Sequence, residues 1–280
     1  MVQKSYDGKP TLYFIPTPIG NLEDITIRAL NILKEVEFVL CEDTRVTGVL
    51  LKKYDIKKNL IRCDEYSQLK MKNQVLDTLE SGKNIGFVSD AGSPVISDPG
   101  FVVSKYVIDA GYNVVALPGA TAFVPALSVS GINPSPFIFY GFLNDKSSKA
   151  RKELEVLKSK TETIILYVSV HDLSDTLKLM LDVLGDRDIA ICRELSKIHE
   201  EIVRGSISEC ISSLVNIKGE FVIVIDGNHE VVDFSHLSIE EHVNMYINDG
   251  ISKMDAMKKV AKERNVSKSI IYNEYNKINK

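Results

Sequence analysis

The sequence predicts an α/β protein of two domains with a helical tail, and three observations carry that expectation. Short apolar runs alternate with longer amphipathic stretches through most of the chain, the pattern of parallel strands joined by crossover helices. Glycine and proline cluster directly after several of those runs, where open α/β sheets bind ligands. The length of 280 residues makes about two domains, and 44% apolar with 26% charged residues is close to the globular average.

Leu12 to Ile15 is the first expected strand, ending at Pro16. Asp24 to Lys34 follows as a helix, with Ile25, Leu30 and Leu33 spaced to share one face, and Phe38 to Cys41 is the second strand. Helical spacing returns from Thr47 to Tyr54 and from Gln68 to Ser81, where Gly82 suits a C-terminal stop. Ile85 to Ser89 and Val114 to Leu117 read as buried strands flanking a helix from Gly100 to Ala110. The stretch Asn133 to Pro136 cannot continue a helix and marks the way into a second set of elements. In it, strands Ile138 to Tyr140, Thr163 to Val168 and Asp188 to Cys192 alternate with helices Ser148 to Ser159 and Leu173 to Leu184. A helix from Ser206 to Val215 and a strongly apolar strand from Glu220 to Ile225 complete it. From about Ile239 the pattern is helical only. Ala256 to Arg264, a turn at Asn265-Val266, and Lys268 to Tyr275 behind Ser267 have the proportions of a helix-turn-helix, or equally of a packed helical hairpin. The expected domains are 1–120, 121–230 and 231–280.

A net charge of −4 argues against a protein that coats nucleic acid over its whole surface. Residues 251–280 nevertheless hold eight Lys and Arg against three acids, a basic tail on an acidic body. Such a tail either touches a polyanion or is a solvated charged helix. Cys41, Cys63, Cys192 and Cys210 form no C-x-x-C pair and have no histidine at ligand spacing, so they are expected to be reduced thiols, buried as small hydrophobes where they fall in strands. The apolar runs are far shorter than the roughly 20 residues of a membrane span, and the first ten residues carry no apolar leader, so a cytoplasmic location is expected.

Three loops hold the chemistry. Pro16-Thr17-Pro18-Ile19-Gly20-Asn21-Leu22 follows the first strand; it is neither G-x-G-x-x-G nor a P-loop, yet Gly20 still permits close approach of a ligand to backbone. Ser89 to Gly100 is a long loop of low helix and strand propensity, a length that is usually functional. In it Asp90 and Asp98 bind a cation, orient a ribose, or cap turns and the following helix. Leu117-Pro118-Gly119-Ala120-Thr121-Ala122-Phe123 is a strand end turning into a helix, with small residues that leave room for a flat ligand. Three such loops on one sheet favour a small-molecule pocket. Charged clusters, Cys41-Glu42-Asp43-Thr44-Arg45 and Cys192-Arg193-Glu194-Leu195-Ser196-Lys197, stand at strand ends and serve either a site or intramolecular ion pairs. His171 and His199 are isolated, and no metal site is expected.

Taken together, Tyr13 to Leu22, Cys41 to Arg45, Val88 to Pro94 with Ile96 to Gly100, Leu117 to Gly119, Ser130-Gly131 and Arg193 to Lys197 resemble the signature segments of the bacterial small-subunit ribosomal RNA cytidine 2'-O-methyltransferases. That family is a branch of the tetrapyrrole methylase superfamily, and the likeness runs in order over about residues 10 to 226. It implies two α/β domains of the tetrapyrrole methylase type with the cofactor cleft between them, a small C-terminal helical extension, S-adenosyl-L-methionine as cofactor and a homodimer. It also implies the substrate, a cytidine 2'-hydroxyl in the decoding region of 16S rRNA within the small ribosomal subunit. Carried residue by residue, the cofactor contacts it implies are Pro18, Ile19, Ala91, Gly92, Ser93, Ile96, Thr121, Ala122, Tyr167 and Val168, beside Gly20 and Asp90 of the same loops. The chain departs from the family at Cys63 to Ser67, at Val168 to Asp172 and at Asn144 to Lys146.

For such a reaction the protein must aim a ribose hydroxyl and remove its proton. Glu42 and Asp43 are the expected bases, with Arg45 positioning phosphate or those carboxylates and Glu65 in reserve. Arg193, Lys197, Lys258, Lys259, Lys262 and Lys268 are the expected phosphate contacts. Two other readings stay open: a methyltransferase acting on a porphyrin-like macrocycle, and a non-catalytic ribosome-binding protein.

Overall fold

The computed structural model describes residues 2–5, 7–214, 218–229, 234 and 237–278, and divides into two compact units, Met1–Gly227 and Asn228–Lys280. The first unit begins with β1 (Thr11–Phe14), α1 (Ile27–Glu35), β2 (Phe38–Cys41), α2 (Thr44–Lys53) and β3 (Asn59–Arg62). It continues through α3 (Lys72–Glu80), β4 (Ile85–Val88), α4 (Phe101–Asp109) and β5 (Asn113–Ala116). These strands form a fully parallel sheet in the order β3-β2-β4-β1-β5. β2 and β4 are buried along their whole length, as central strands covered on both faces must be. Alternate residues feed two layers: Leu12, Phe14, Leu40 and Phe87 on one face, Ile15, Val39, Cys41 and Val88 on the other.

Helix starts follow their caps. Thr26 accepts the Ala29 N–H, so α1 begins at Ile27, and residues 22–24 make a separate 3-10 turn behind Asn21. Asp43 accepts the Arg45 N–H, which starts α2 at Thr44 rather than Thr47. The expected helix from Gln68 is a 3-10 turn, Gln68–Met71, running into α3.

Next come α5 (Phe123–Ser130), β6 (Phe137–Phe142), α6 (Ser147–Leu157), β7 (Thr163–Val168) and α7 (Leu173–Leu184). They are followed by β8 (Asp188–Arg193), β9 (Glu201–Ser206), α8 (Ile207–Ser213) and β10 (Phe221–Ile225). Val215, at the end of the expected helix, lies outside the described residues. The second sheet has the order β6-β7-β10-β8-β9, and here the expectation of parallel strands fails. β6 and β7 are parallel, but β10 lies antiparallel to both β7 and β8, and β9 antiparallel to β8. The link from Arg193 to Glu201 is too short for a crossover, which takes about a dozen residues or more, so the chain must return antiparallel. The two strands that periodicity did not reveal, β3 and β9, are sheet edges whose half-buried and exposed residues make no apolar run.

The second unit has its own core. α9 (Ile239–Asn248), α10 (Lys253–Glu263) and α11 (Lys268–Ile278) pack around Val243, Met257, Val260, Ile271 and Tyr275. Ser238 with Glu241 forms a capping box at the start of α9. His242 is buried between Arg264, whose Nε donates to its Nδ1 at 3.1 Å, and Glu263, 3.0 Å from its Nε2, so one cation of the basic tail faces inward. Among the described residues no helix is long and apolar enough to cross a membrane.

Candidate functional site

β1, β4 and β5 end side by side, and the loops that leave them are fastened to one another. Thr17 and Gly92 exchange two backbone hydrogen bonds of 2.9 Å, and the Ser93 hydroxyl donates to the Ala120 carbonyl at 3.0 Å. Gly119 lies so near Pro16 that a Cβ would stand 2.5 Å from the proline Cβ. Gly92 has φ +79°, and a Cβ on it would come within 3.3 Å of the Ile19 side chain.

A cavity of about 320 Å³ opens at this cluster, within the size range of small-molecule sites. Of the expected cofactor contacts, Ile19, Ala91, Gly92, Ser93, Ile96, Thr121, Ala122, Tyr167 and Val168 line it. The others do not. Pro18 is buried outside it, and Gly20 sits under the Lys197 side chain. Asp90 turns to the neighbouring loop, where its Oδ1 accepts the Asp43 N–H at 3.1 Å.

Asp98, one of the two loop aspartates singled out in the sequence, also lines the cavity, as do Phe142, Ser169, Glu220, Phe221 and Val222, which were not expected there. The last three are there because β10 is antiparallel: Phe221 pairs with both Val168 and Arg193, so the start of β10 meets the ends of β7 and β8. A search of strand carboxyl ends passes over them. Phe142 and Tyr167 meet edge-on at 5.5 Å, and burial pushes the Tyr167 phenol up, offset by hydrogen bonds to Thr121 and to the backbone at Phe123.

The carboxylates divide by environment. Asp43 caps α2 and is gripped by the exposed Arg45, whose Nη2 lies 2.5 Å and Nε 3.0 Å from its oxygens, which holds it well below the usual carboxylate range. Glu42 is raised, first by burial and then by Asp90, Asp64 and Glu65. Glu65 itself is exposed. Asp98 is pushed up to about 7 by burial, then by Glu42 and Asp90, against a hydrogen bond from Ser89. Among the described residues no group of three or more His, Cys, Asp or Glu is arranged to hold a metal.

The expected phosphate contacts are placed very differently from one another. Arg193 Nη1 pairs with Glu201 at 3.0 Å and its Nε donates to the Lys218 carbonyl at 2.7 Å. Lys197 Nζ pairs with Glu194 at 2.9 Å and Glu220 at 2.8 Å, so in this cluster the ion-pair alternative is what the structure shows. Lys258, Lys259, Lys262 and Lys268 are exposed on α10 and α11; Lys258 pairs with Asp255 at 2.7 Å, and Lys259 stands 3.9 Å from the Tyr246 ring centroid.

The sequence from residue 11 to 211 matches the family of Tetrapyrrole (Corrin/Porphyrin) Methylases. The chain belongs to the tetrapyrrole methylase family. A relative in Bacillus subtilis (strain 168), named ribosomal RNA small subunit methyltransferase I, is 47% identical over 98% of this chain and 97% of its own length. A Thermotoga maritima relative of the same name is 44% identical and covers 77% of this chain and 98% of its own length. Among solved structures, the uroporphyrin-III-C-methyltransferase from Thermus thermophilus aligns with a TM-score of 0.55 over 78% of this chain and 94% of its own, at 18% identity, a likeness of fold. The cavity between the first sheet's loops and the second sheet lies within the first unit and is lined by nine of the expected cofactor contacts.

Proposed function

We propose that this chain is an S-adenosyl-L-methionine-dependent methyltransferase that modifies the 2'-hydroxyl of a cytidine in the decoding region of 16S rRNA, within the small ribosomal subunit and as a homodimer. The observation that carries the reading is near-full-length identity to relatives named ribosomal RNA small subunit methyltransferase I. The cavity supports the cofactor. Its walls are mainly apolar, Gly92 and Gly119 keep the loops in a contact that a side chain would force apart, and the rings of Phe142 and Tyr167 with the carboxylate of Glu220 suit a cationic ligand.

When bound, S-adenosylmethionine supplies a methyl group already activated by sulfonium charge. The chain's part is to hold and to dry the site. Ile19, Ala91, Ala122, Val168 and Val222 exclude water, while Ser93, Thr121 and Ser169 offer hydroxyls for orientation. The proton of the attacking ribose must leave to a nearby carboxylate. Asp43 suits this least, since the helix cap and Arg45 occupy its oxygens. Glu42 keeps a raised proton affinity at the end of β2. Near-native turnover in both Glu42→Gln and Asp43→Asn would remove the pair.

Residues 1–120 and 121–230 furnish opposite walls of the site, and residues 231–280 furnish the basic surface on which Lys258, Lys259, Lys262 and Lys268 meet phosphates without reading sequence. Arg193 and Lys197 fix the loop beside the cavity through their ion pairs. The decisive experiment is transfer of labelled methyl from S-adenosylmethionine to small subunits from cells lacking the modification, with mapping of the labelled atom. Label on one cytidine ribose is the expected result. Cofactor binding without transfer would defeat the ribosomal reading and make a macrocycle the next acceptor to test.

A further inference from the structure

We propose that Asp98, which lines the cavity, and not Glu42, which does not, is the proton acceptor for the attacking hydroxyl, a role that rests on the methyltransferase reading above. It lines the cavity beside the buried Ser89, with which it hydrogen-bonds. A cap on the following helix is one of the roles the sequence leaves open for it. Here the N-cap of α4 is Gly100, without a side-chain cap, and the buried Gln68 reaches across from its 3-10 turn so that its Oε1 accepts the N–H groups of Gly100 at 3.0 Å and Val102 at 3.2 Å. Gln68, and not Asp98, does the capping.

The backbone tells the same story. Val95 has φ +76° and Ser97 φ +64°, left-handed values that non-glycine residues seldom take and β-branched ones such as Val95 rarely, and both lie within three positions of Asp98. Strain of this kind persists where surrounding structure enforces it and gathers at functional sites. It delivers Ile96, Ser97 and Asp98 to the cavity wall.

The groups that face Asp98 come from every neighbouring element: Glu42 beyond β2, Ser89 and Asp90 beyond β4, and Tyr167 of β7, whose phenol feels its charge. Glu220 lines the same cavity but is neutralised in part by Lys197. Burial first, and then the two other acids, raise the proton affinity of Asp98 to about 7, near working pH, where a general base is most effective. In the step, the ribose oxygen forms its bond to the methyl carbon as the carbon–sulfur bond breaks with its electron pair returning to sulfur. The hydroxyl proton passes to an Asp98 oxygen and then to solvent.

The test uses the full chain, small ribosomal subunits and S-adenosylmethionine, with Asp98→Asn and Asp98→Glu. Asp98→Asn is expected to slow transfer by about 10²–10⁴-fold while cofactor Kd, from calorimetry, stays within about threefold. The kcat/KM of wild type, which reports the free enzyme, should rise with pH through about 7, and Asp98→Asn should lose that limb. Asp98→Glu should recover part of the rate with its pH dependence. Transfer by Asp98→Asn within about fivefold of wild type overturns the proposal, as does a loss confined to cofactor affinity, which would make Asp98 a ligand contact. Wild type that binds cofactor yet labels no subunit would instead defeat the reading on which the proposal rests.

Discussion

Replacing Asp98 by asparagine should stabilise the fold at neutral and alkaline pH and leave it unchanged in acid. Asp98 takes up its proton at about 7 in the folded chain against an ordinary 3.8, chiefly because burial penalises its charge. At 1.36 kcal/mol per pH unit, the full penalty is about 4 kcal/mol, and partial access to solvent reduces it to about 1–3 kcal/mol. Between about pH 4 and 7 the folded chain binds a proton that the unfolded chain has released, so stability falls as pH rises through that window. Below it both states are protonated and nothing is lost; above it both are charged and the whole penalty applies. Asparagine is neutral throughout. Urea unfolding of both proteins at about pH 4.5, 6, 7 and 8 should show a difference that opens with pH and levels off above about 7. A difference that is constant with pH, or an Asp98→Asn protein less stable at pH 8, would refute the argument.

Other consequences are equally open to measurement. Gly119→Ala should lower stability by about 1–3 kcal/mol and weaken S-adenosylmethionine binding, because the new methyl group must push the first and third loops apart; an unchanged melting temperature and Kd would contradict this. Gln68→Ala should cost about 1–3 kcal/mol in unfolding free energy by stranding the buried Gly100 N–H and the partly buried Val102 N–H, and amide exchange at the start of α4 should accelerate. A chain ending at Gly227 should keep cofactor affinity and lose RNA affinity, whereas equal loss of both would show that Asn228–Lys280 supports the fold. Changing Lys258, Lys259, Lys262 and Lys268 to glutamine should flatten the salt dependence of RNA binding by about 0.7–0.9 log units per lysine that truly meets a phosphate.

Much of this molecule was legible in advance. Thr163–Val168 and Leu173–Leu184 have the bounds that periodicity gave them, because a buried run of β-branched residues and an amphipathic stripe are local signals. The loops after β1, β4 and β5 were found from glycine and proline alone, since close backbone approach needs residues without bulk at Gly92 and Gly119. The edges β3 and β9 were not found, for an edge strand has no continuous apolar run to betray it.

The sequence by itself determined the buried strands, most of the helices and the three loops at the strand ends, though not the edges β3 and β9, because propensity, capping and periodicity act over a few residues. Only the tertiary structure decided the direction of β10, and with it the presence of Glu220, Phe221 and Val222 in the cavity wall, since strand direction depends on how the chain returns across the sheet. It also decided the fate of each charge. Asp43 and Asp98 are the same residue type in similar loops, yet an arginine at 2.5 Å lowers the proton affinity of one while burial beside two other acids raises that of the other. The partner of Asp43 is two residues along the chain, whereas the burial of Asp98 and its neighbour Glu42, 56 residues away, come from the packing of separate loops, which no local pattern encodes.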